Sequence, residues 1–172
     1  KVTEKNCHPH ISHNKRFYMV HNGIIENYAS LKWQLEKKWF AFYSETDTEV
    51  TVNMFQNVYN GDILESMKRL VKHLEGAYAL VFVDKEDPNM LFGAKLGSPL
   101  VLWVAGKSFY VSSDYRSLAG LAEEYIALED GDIFIIKDGQ YIIQNNGLNV
   151  VRDRADIPEE EASAELWDFK HY

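Results

Sequence analysis

The sequence predicts an α+β domain built mainly on antiparallel sheet, and three observations carry that expectation. Apolar residues recur at helical spacing through the first half of the chain. After Gly76 the period changes to that of strands, and the strands that follow are joined by short turns. Helices in a block, followed by short-looped strands, point to α+β rather than to alternating βαβ units. With 172 residues, 46% of them hydrophobic and 13% aromatic, the chain can bury the core of one domain and is no disordered solvating tail.

Each element has its own signal. Residues 17–20 are a short apolar run ending in His21-Asn22-Gly23, where Asn-Gly signals a turn. Asn27 can cap a helix through Lys38, with Tyr28, Leu31 and Leu35 at helical spacing. A second helix begins near Thr46-Asp47-Thr48-Glu49, because Thr followed three places later by Glu is a capping box. Val50, Met54 and Val58 form its buried stripe, and Gly61 ends it. A third helix, residues 62–74, carries Leu64, Met67, Val71 and Leu74 on one face, with Gly76 after it.

Residues 77–84 then read as a buried strand with Asp87-Pro88-Asn89 as its turn. Strands follow at residues 90–94, 100–104 and 108–112, separated by Gly97-Ser98-Pro99 and Gly106-Lys107. A short helix is expected near residues 115–122, before strands at 125–128 and 132–137. Asp138-Gly139 makes a hairpin into residues 141–144, and Asn146-Gly147 another into 148–151.

Composition excludes several functions. Asp and Glu number 26 against 18 Lys and Arg, a net charge of −8 that argues against a nucleic-acid partner, which needs a basic face. No apolar run approaches the ~18 residues of a membrane span. Cys7 is the lone cysteine, so neither a disulfide framework nor a multi-cysteine zinc site can form. His8-Pro9-His10, with His13 nearby, is the one metal candidate, but no cysteine or carboxylate joins it locally, and we expect no metal. The lone cysteine and the absence of a signal segment favour the cytoplasm.

The ends are less ordinary. The chain starts at Lys1 rather than Met, and residues 153–165 are acidic before the aromatic residues Trp167, Phe169 and Tyr172. These ends suggest a fragment: residues 1–151 as the major part of a domain, and 152–172 as an acidic linker toward an absent one.

The chemical signals taken alone stay ambiguous. Asn22-Gly23 is either a tight turn or a pair of donors, a side-chain amide and a free N–H, aimed at a developing oxyanion. Asp47 either favours the positive N-terminus of its helix or binds a ligand's ammonium group.

The run His21-Asn22-Gly23-Ile24-Ile25-Glu26-Asn27, followed by Ser44-Glu45-Thr46-Asp47-Thr48-Glu49-Val50, resembles the glutaminase domain of the glutamine–fructose-6-phosphate aminotransferase family (glucosamine-6-phosphate synthases). Supporting motifs continue in order down the chain: Asn6 with His8-Pro9-His10, Gly76-Ala77-Tyr78, Gly97-Ser98-Pro99-Leu100, Ser112-Ser113-Asp114 and Leu128-Glu129-Asp130-Gly131-Asp132. Lys170-His171-Tyr172 resembles the start of the segment leading into that family's sugar-phosphate isomerase half. Other class II glutamine amidotransferases, such as amidophosphoribosyltransferase and glutamate synthase, share the Asn-Gly pair. The Ile24-Ile25-Glu26-Asn27 continuation is similar to the hexosamine enzymes instead.

The resemblance implies an N-terminal-nucleophile hydrolase fold, a four-layer sandwich of antiparallel sheets between helices, incomplete at the N-terminus. It implies L-glutamine as substrate, hydrolysed by an amino-terminal Cys whose own α-amine handles the proton. The side-chain amide of Asn22 and the N–H of Gly23 would form the oxyanion hole, and Gly23 with Asp47 would bind glutamine, Asp47 holding its α-ammonium. The released ammonia would aminate fructose 6-phosphate in the isomerase domain of a homo-oligomeric parent, with no organic cofactor. The opening segment of the family, with its Cys and an Arg-Trp motif, has no counterpart in the 172 residues, so the chain is expected to be inactive alone. Cys7 falls where the family has a small residue and is expected to pack. Lys38-Trp39-Phe40 replaces a helix-ending Gly; since Trp39 takes a left-handed cap only at a cost, a different helix exit is expected. A non-catalytic truncated binding or regulatory module is the alternative reading.

Overall fold

Strand alternation organises the molecule around two apolar layers that share one sheet. In the computed structural model, which describes residues 3–114, 121–122 and 124–156, a turn of 3₁₀ helix at Glu4–Asn6 leads into β1 (His10–Ile11) and β2 (Phe17–Ile25). Then come α1 (Tyr28–Glu36), α2 (Asp47–Val58) and α3 (Ile63–Val71). Strands β3 (Gly76–Asp84), β4 (Asp87–Leu96), β5 (Val101–Ala105), β6 (Ser108–Ser112), β7 (Glu124–Ala127), β8 (Asp132–Lys137), β9 (Gln140–Asn145), β10 (Leu148–Val150) and β11 (Arg154–Asp156) complete the described chain. They form a seven-stranded sheet in the order β1-β2-β3-β4-β8-β9-β10 and a four-stranded sheet in the order β11-β7-β5-β6. Every pairing between these strands is antiparallel.

Because successive side chains point to opposite faces, the larger sheet feeds both layers. Leu80, Phe82, Met90, Phe92 and Ile133 pack under the helices with Phe55 and Met67. Ala79, Phe134, Ile136 and Ile143 turn the other way and meet Leu102, Val104 and Ile126 of the smaller sheet. The helix layer is held by an aromatic stack in which the Phe55 ring lies 4.9 Å from Phe82 and 5.3 Å from Phe92. This is the α+β architecture that the sequence predicts.

The local signals are met with instructive exceptions. Thr46 caps α2 by accepting the Glu49 N–H at 3.2 Å, but the Glu49 carboxylate turns away to take the N–H groups of Tyr43 and Ser44, so only half of the capping box is made. Asp62 caps α3 by accepting the Glu65 N–H at 2.8 Å. Asn27 stands at the start of α1 without capping it; its side chain ties the loop to His73 and Glu75 instead. The turn before β4 is at Lys85 and Glu86, not at Asp87-Pro88-Asn89. Asp84, locked by Arg16, accepts the Glu86 N–H at 3.0 Å and closes the chain two residues earlier.

Trp39 takes the left-handed conformation after all, at φ 67°. Its N–H bonds the Glu36 carbonyl and the Phe40 N–H bonds the Leu35 carbonyl, the two bonds of a Schellman exit. Cys7 does not pack: it is exposed, its thiol reaching the Thr3 carbonyl at 3.4 Å. The helix expected near residues 115–122 falls outside the described residues, apart from Leu121 and Ala122. Two stretches that the sequence reading assigns to the linker join the fold. Arg152 binds Asp132 of β8 through two nitrogens, and Arg154–Asp156 pair with β7.

Candidate active site

Asn22 and Gly23 lie inside a strand, not in a turn. β2 runs unbroken from Phe17 to Ile25, with Asn22 opposite Ala79 and Gly23 opposite Tyr78. Their Asn-Gly signature reflects a close approach. At Gly23 the backbone has φ 123°, and a β-carbon there would stand 2.1 Å from the Ala77 carbonyl oxygen and 2.8 Å from Ser98 Oγ. No residue other than glycine fits.

The alternation of β2 sets what surrounds the pair. Met19, His21 and Ile25 are buried on the helix side. Val20, Asn22 and Ile24 point the other way, toward the smaller sheet, yet Val20 is 42% exposed and Ile24 67%. On the neighbouring strand Ala79, opposite Asn22, is covered and packs in one cluster with Leu100 and the smaller sheet. A cavity of about 420 Å³ opens here, lined by His8, Val20, Asn22, Leu100, Val111 and Ser112, among others. A bare apolar strand face beside an exposed amide is unusual for a settled domain surface.

Asp47 reaches this region from α2. As the first residue of that helix, it sits at the positive end of the helix dipole. Its Oδ2 accepts the Ile25 N–H at 2.8 Å, fixing the carboxylate to β2 two residues beyond Gly23, roughly 7 Å along a strand. Oδ1 makes no hydrogen bond among the described residues and is free to take an ammonium. The fold therefore brings Asn22, Gly23 and Asp47 to one end of β2.

The sequence reading missed the groups between them. Thr48 Oγ1 lies 3.2 Å from His8 Nε2 and 3.2 Å from His21 Nδ1, so one hydroxyl ties two imidazoles to the start of α2. His10 Nε2 meets Thr46 Oγ1 at 3.1 Å. The metal-candidate histidines His8 and His10 each turn one ring nitrogen to a threonine hydroxyl, and His13 takes the Ala41 N–H. Among the described residues no group of three or more His, Cys, Asp or Glu side chains is arranged to hold a metal ion. His21 Nδ1 also lies 3.9 Å from Asp47 Oδ2. Burial lowers the pKa of His21, and Asp47 opposes this only in part, so the ring stays neutral and leaves the Asp47 charge available. The alternation of Thr46 and Thr48 with Asp47 and Glu49 was the available signal, and helix capping absorbed it.

Comparison with known proteins supplies the family. Residues 2–120 match the glutamine amidotransferase domain. The chain is 38% identical over its full length to glutamine–fructose-6-phosphate aminotransferase (isomerizing) from Aquifex aeolicus, of which it spans 29%. It is 36% identical over 98% of its length to the same enzyme from Thermotoga maritima, of which it spans 28%. The chain thus spans less than a third of these relatives. The solved structure of glutamine phosphoribosylpyrophosphate amidotransferase from B. subtilis, complexed with ADP and GMP, superposes with a TM-score of 0.73. It is 25% identical, covering 86% of this chain and 33% of that one. The antiparallel sheets and their helices are those of the N-terminal-nucleophile amidotransferases, and the chain belongs to the glutamine amidotransferase domain family.

Proposed function

We propose that this chain is the glutamine-hydrolysing, ammonia-releasing part of an aminotransferase that makes glucosamine 6-phosphate from fructose 6-phosphate and glutamine. The observation that carries this reading is the convergence of Asn22, Gly23 and Asp47 at one end of β2, beside a cavity and a bare strand face. Asp47 Oδ1 holds the α-ammonium of L-glutamine. The Asn22 amide and the Gly23 N–H take the tetrahedral oxyanion, which carries the charge that develops in the transition state. The attacking thiol belongs to an amino-terminal Cys outside the 172 residues, whose strand would cover Val20 and Ile24. A polypeptide starting at Lys1 has no such thiol and is expected to release no ammonia. Further proposals are a cytoplasmic, homo-oligomeric parent and an acidic stretch within residues 152–172 that leads toward an isomerase domain. The non-catalytic reading has no structural observation in its favour, because all three site residues are kept.

The test joins the opening segment of the Aquifex relative, Cys first, to Lys1 and measures ammonia release from L-glutamine. Activity is expected, with Asn22→Ala lowering kcat about 100- to 1000-fold. A folded fusion that neither releases ammonia nor takes a glutamine-like affinity label overturns the reading.

A further inference from the structure

Two motifs of the sequence, Gly97-Ser98-Pro99-Leu100 and Leu128-Glu129-Asp130-Gly131-Asp132, take no part in the chemistry above, yet the fold joins them beside Gly23. The turn that leaves β4 has Gly97 at φ 73°, bridged in parallel to Tyr78, with the Ser98 N–H bonded to the Leu96 carbonyl at 2.8 Å. The loop between β7 and β8 clamps it. Asp130 Oδ1 accepts the Gly97 N–H at 2.8 Å and the Lys95 ammonium, while the Gly131 N–H bonds the Lys95 carbonyl at 2.8 Å. Ser98 Oγ then stands against Gly23, at 2.8 Å from where a β-carbon would be, and makes no hydrogen bond of its own among the described residues.

Gly23 has no side chain to hold it, and its φ of 123° lies outside the wells that stabilise other residues. Its conformation must come from its neighbours. One wall is the Ala77 carbonyl, fixed by the β2–β3 ladder. The other is Ser98, the next residue after Gly97, whose N–H Asp130 accepts. Asp130 is exposed, and the Lys95 and Gly97 bonds outweigh its slight desolvation and hold its carboxyl below the usual range.

We propose that Asp130 is a positioning residue for the Asn22–Gly23 pair, acting through Gly97 and Ser98. The catalytic consequence rests on the function proposed above, but the conformational coupling does not.

The test follows ¹⁵N-labelled chains by NMR, with a thermal melt of each variant. Asp130→Ala is expected to move the amide signals of Gly97 and Gly23 and the side-chain NH₂ signal of Asn22. Asp130→Asn keeps an oxygen for the Gly97 N–H and is expected to return Gly23 to its native position. Ser98→Ala is expected to move Gly23 while Lys95 stays in place. In the fusion described above, Asp130→Ala is expected to lower kcat about 10- to 100-fold with the KM for glutamine little changed, and Asp130→Asn to recover most of the loss. Stationary Gly23 and Asn22 signals in Asp130→Ala, or equal defects in the Asn and Ala variants, overturn the proposal. Should Asp130→Ala fail to fold, Ser98→Ala decides by the same signals. A fusion inactive with Asp130 intact removes the glutaminase reading alone, and the NMR signals still judge the coupling.

Discussion

Asp47 has one oxygen tied to the Ile25 N–H, and the other is the one proposed above to hold an ammonium. Asn at this position still accepts the Ile25 N–H but loses the charge that would hold an ammonium. Asp47→Asn in the active fusion is therefore expected to raise the KM for glutamine about 10- to 100-fold, the worth of a hydrogen bond to a charged group, while the melting temperature falls by only a few degrees as the carboxylate leaves the N-terminus of α2. Gly23→Ala is expected to abolish activity and to lower the melting temperature, since its β-carbon overlaps the Ala77 carbonyl. Burial lowers the pKa values of His10 and His21, so the folded protein binds fewer protons than the unfolded chain just below the usual histidine value. Stability should be fully present above pH about 6.5 and fall as the pH drops below it. Urea unfolding across that range checks the slope, and His21→Gln should reduce it, leaving the share of His10.

At the scale of elements, the helices were readable and the site strand was not. The capping residues Thr46 and Asp62 act locally, through N–H groups three residues on, so their sequence signal is complete in itself. Asn-Gly at 22–23 has the composition of a turn, but the ladder to β3 continues through it. A long-range pairing overrode a local propensity, as it also did at Asn27. Trp39 shows the reverse case, a helix exit kept although its residue disfavours it. The side chain is 89% exposed and contributes no core packing. Trp39→Gly is expected to stabilise the protein by about 1 kcal/mol, seen as a rise of about 2–4 °C in Tm.

For the whole molecule, the link from β10 of the larger sheet to β11 of the smaller one is pinned by more than apolar contact. Asp132 is fully buried, and Arg152 meets it at 2.7 Å while also reaching Glu129. Burial pushes the Asp132 carboxyl up, but its bonds from Arg152, Asn145 and the Glu129 N–H together outweigh this and hold it low. Arg152→Ala leaves that charge buried without its partner and is expected to cost about 3–5 kcal/mol in urea unfolding. The acidic, apolar-poor composition after Val151 reads as a solvated linker, yet Arg152 and β11 belong to the fold. Composition averages over a segment, whereas one arginine opposite one buried carboxylate, with the strand that follows it, keeps residues 152–156 against the sheets.

Periodicity, caps and hairpin residues determined the α+β class, most element positions and the mainly antiparallel sheet, because these depend on contacts within a few residues along the chain. Motif order was enough to single out Asn22, Gly23 and Asp47. Tertiary structure alone decided that Gly23 is required by a neighbouring strand and a distant turn, that Thr48 gathers His8 and His21, and that Asp130 stands behind the site. Those relations join residues some 30 to 100 positions apart, and no local pattern records which distant backbone will come within van der Waals range.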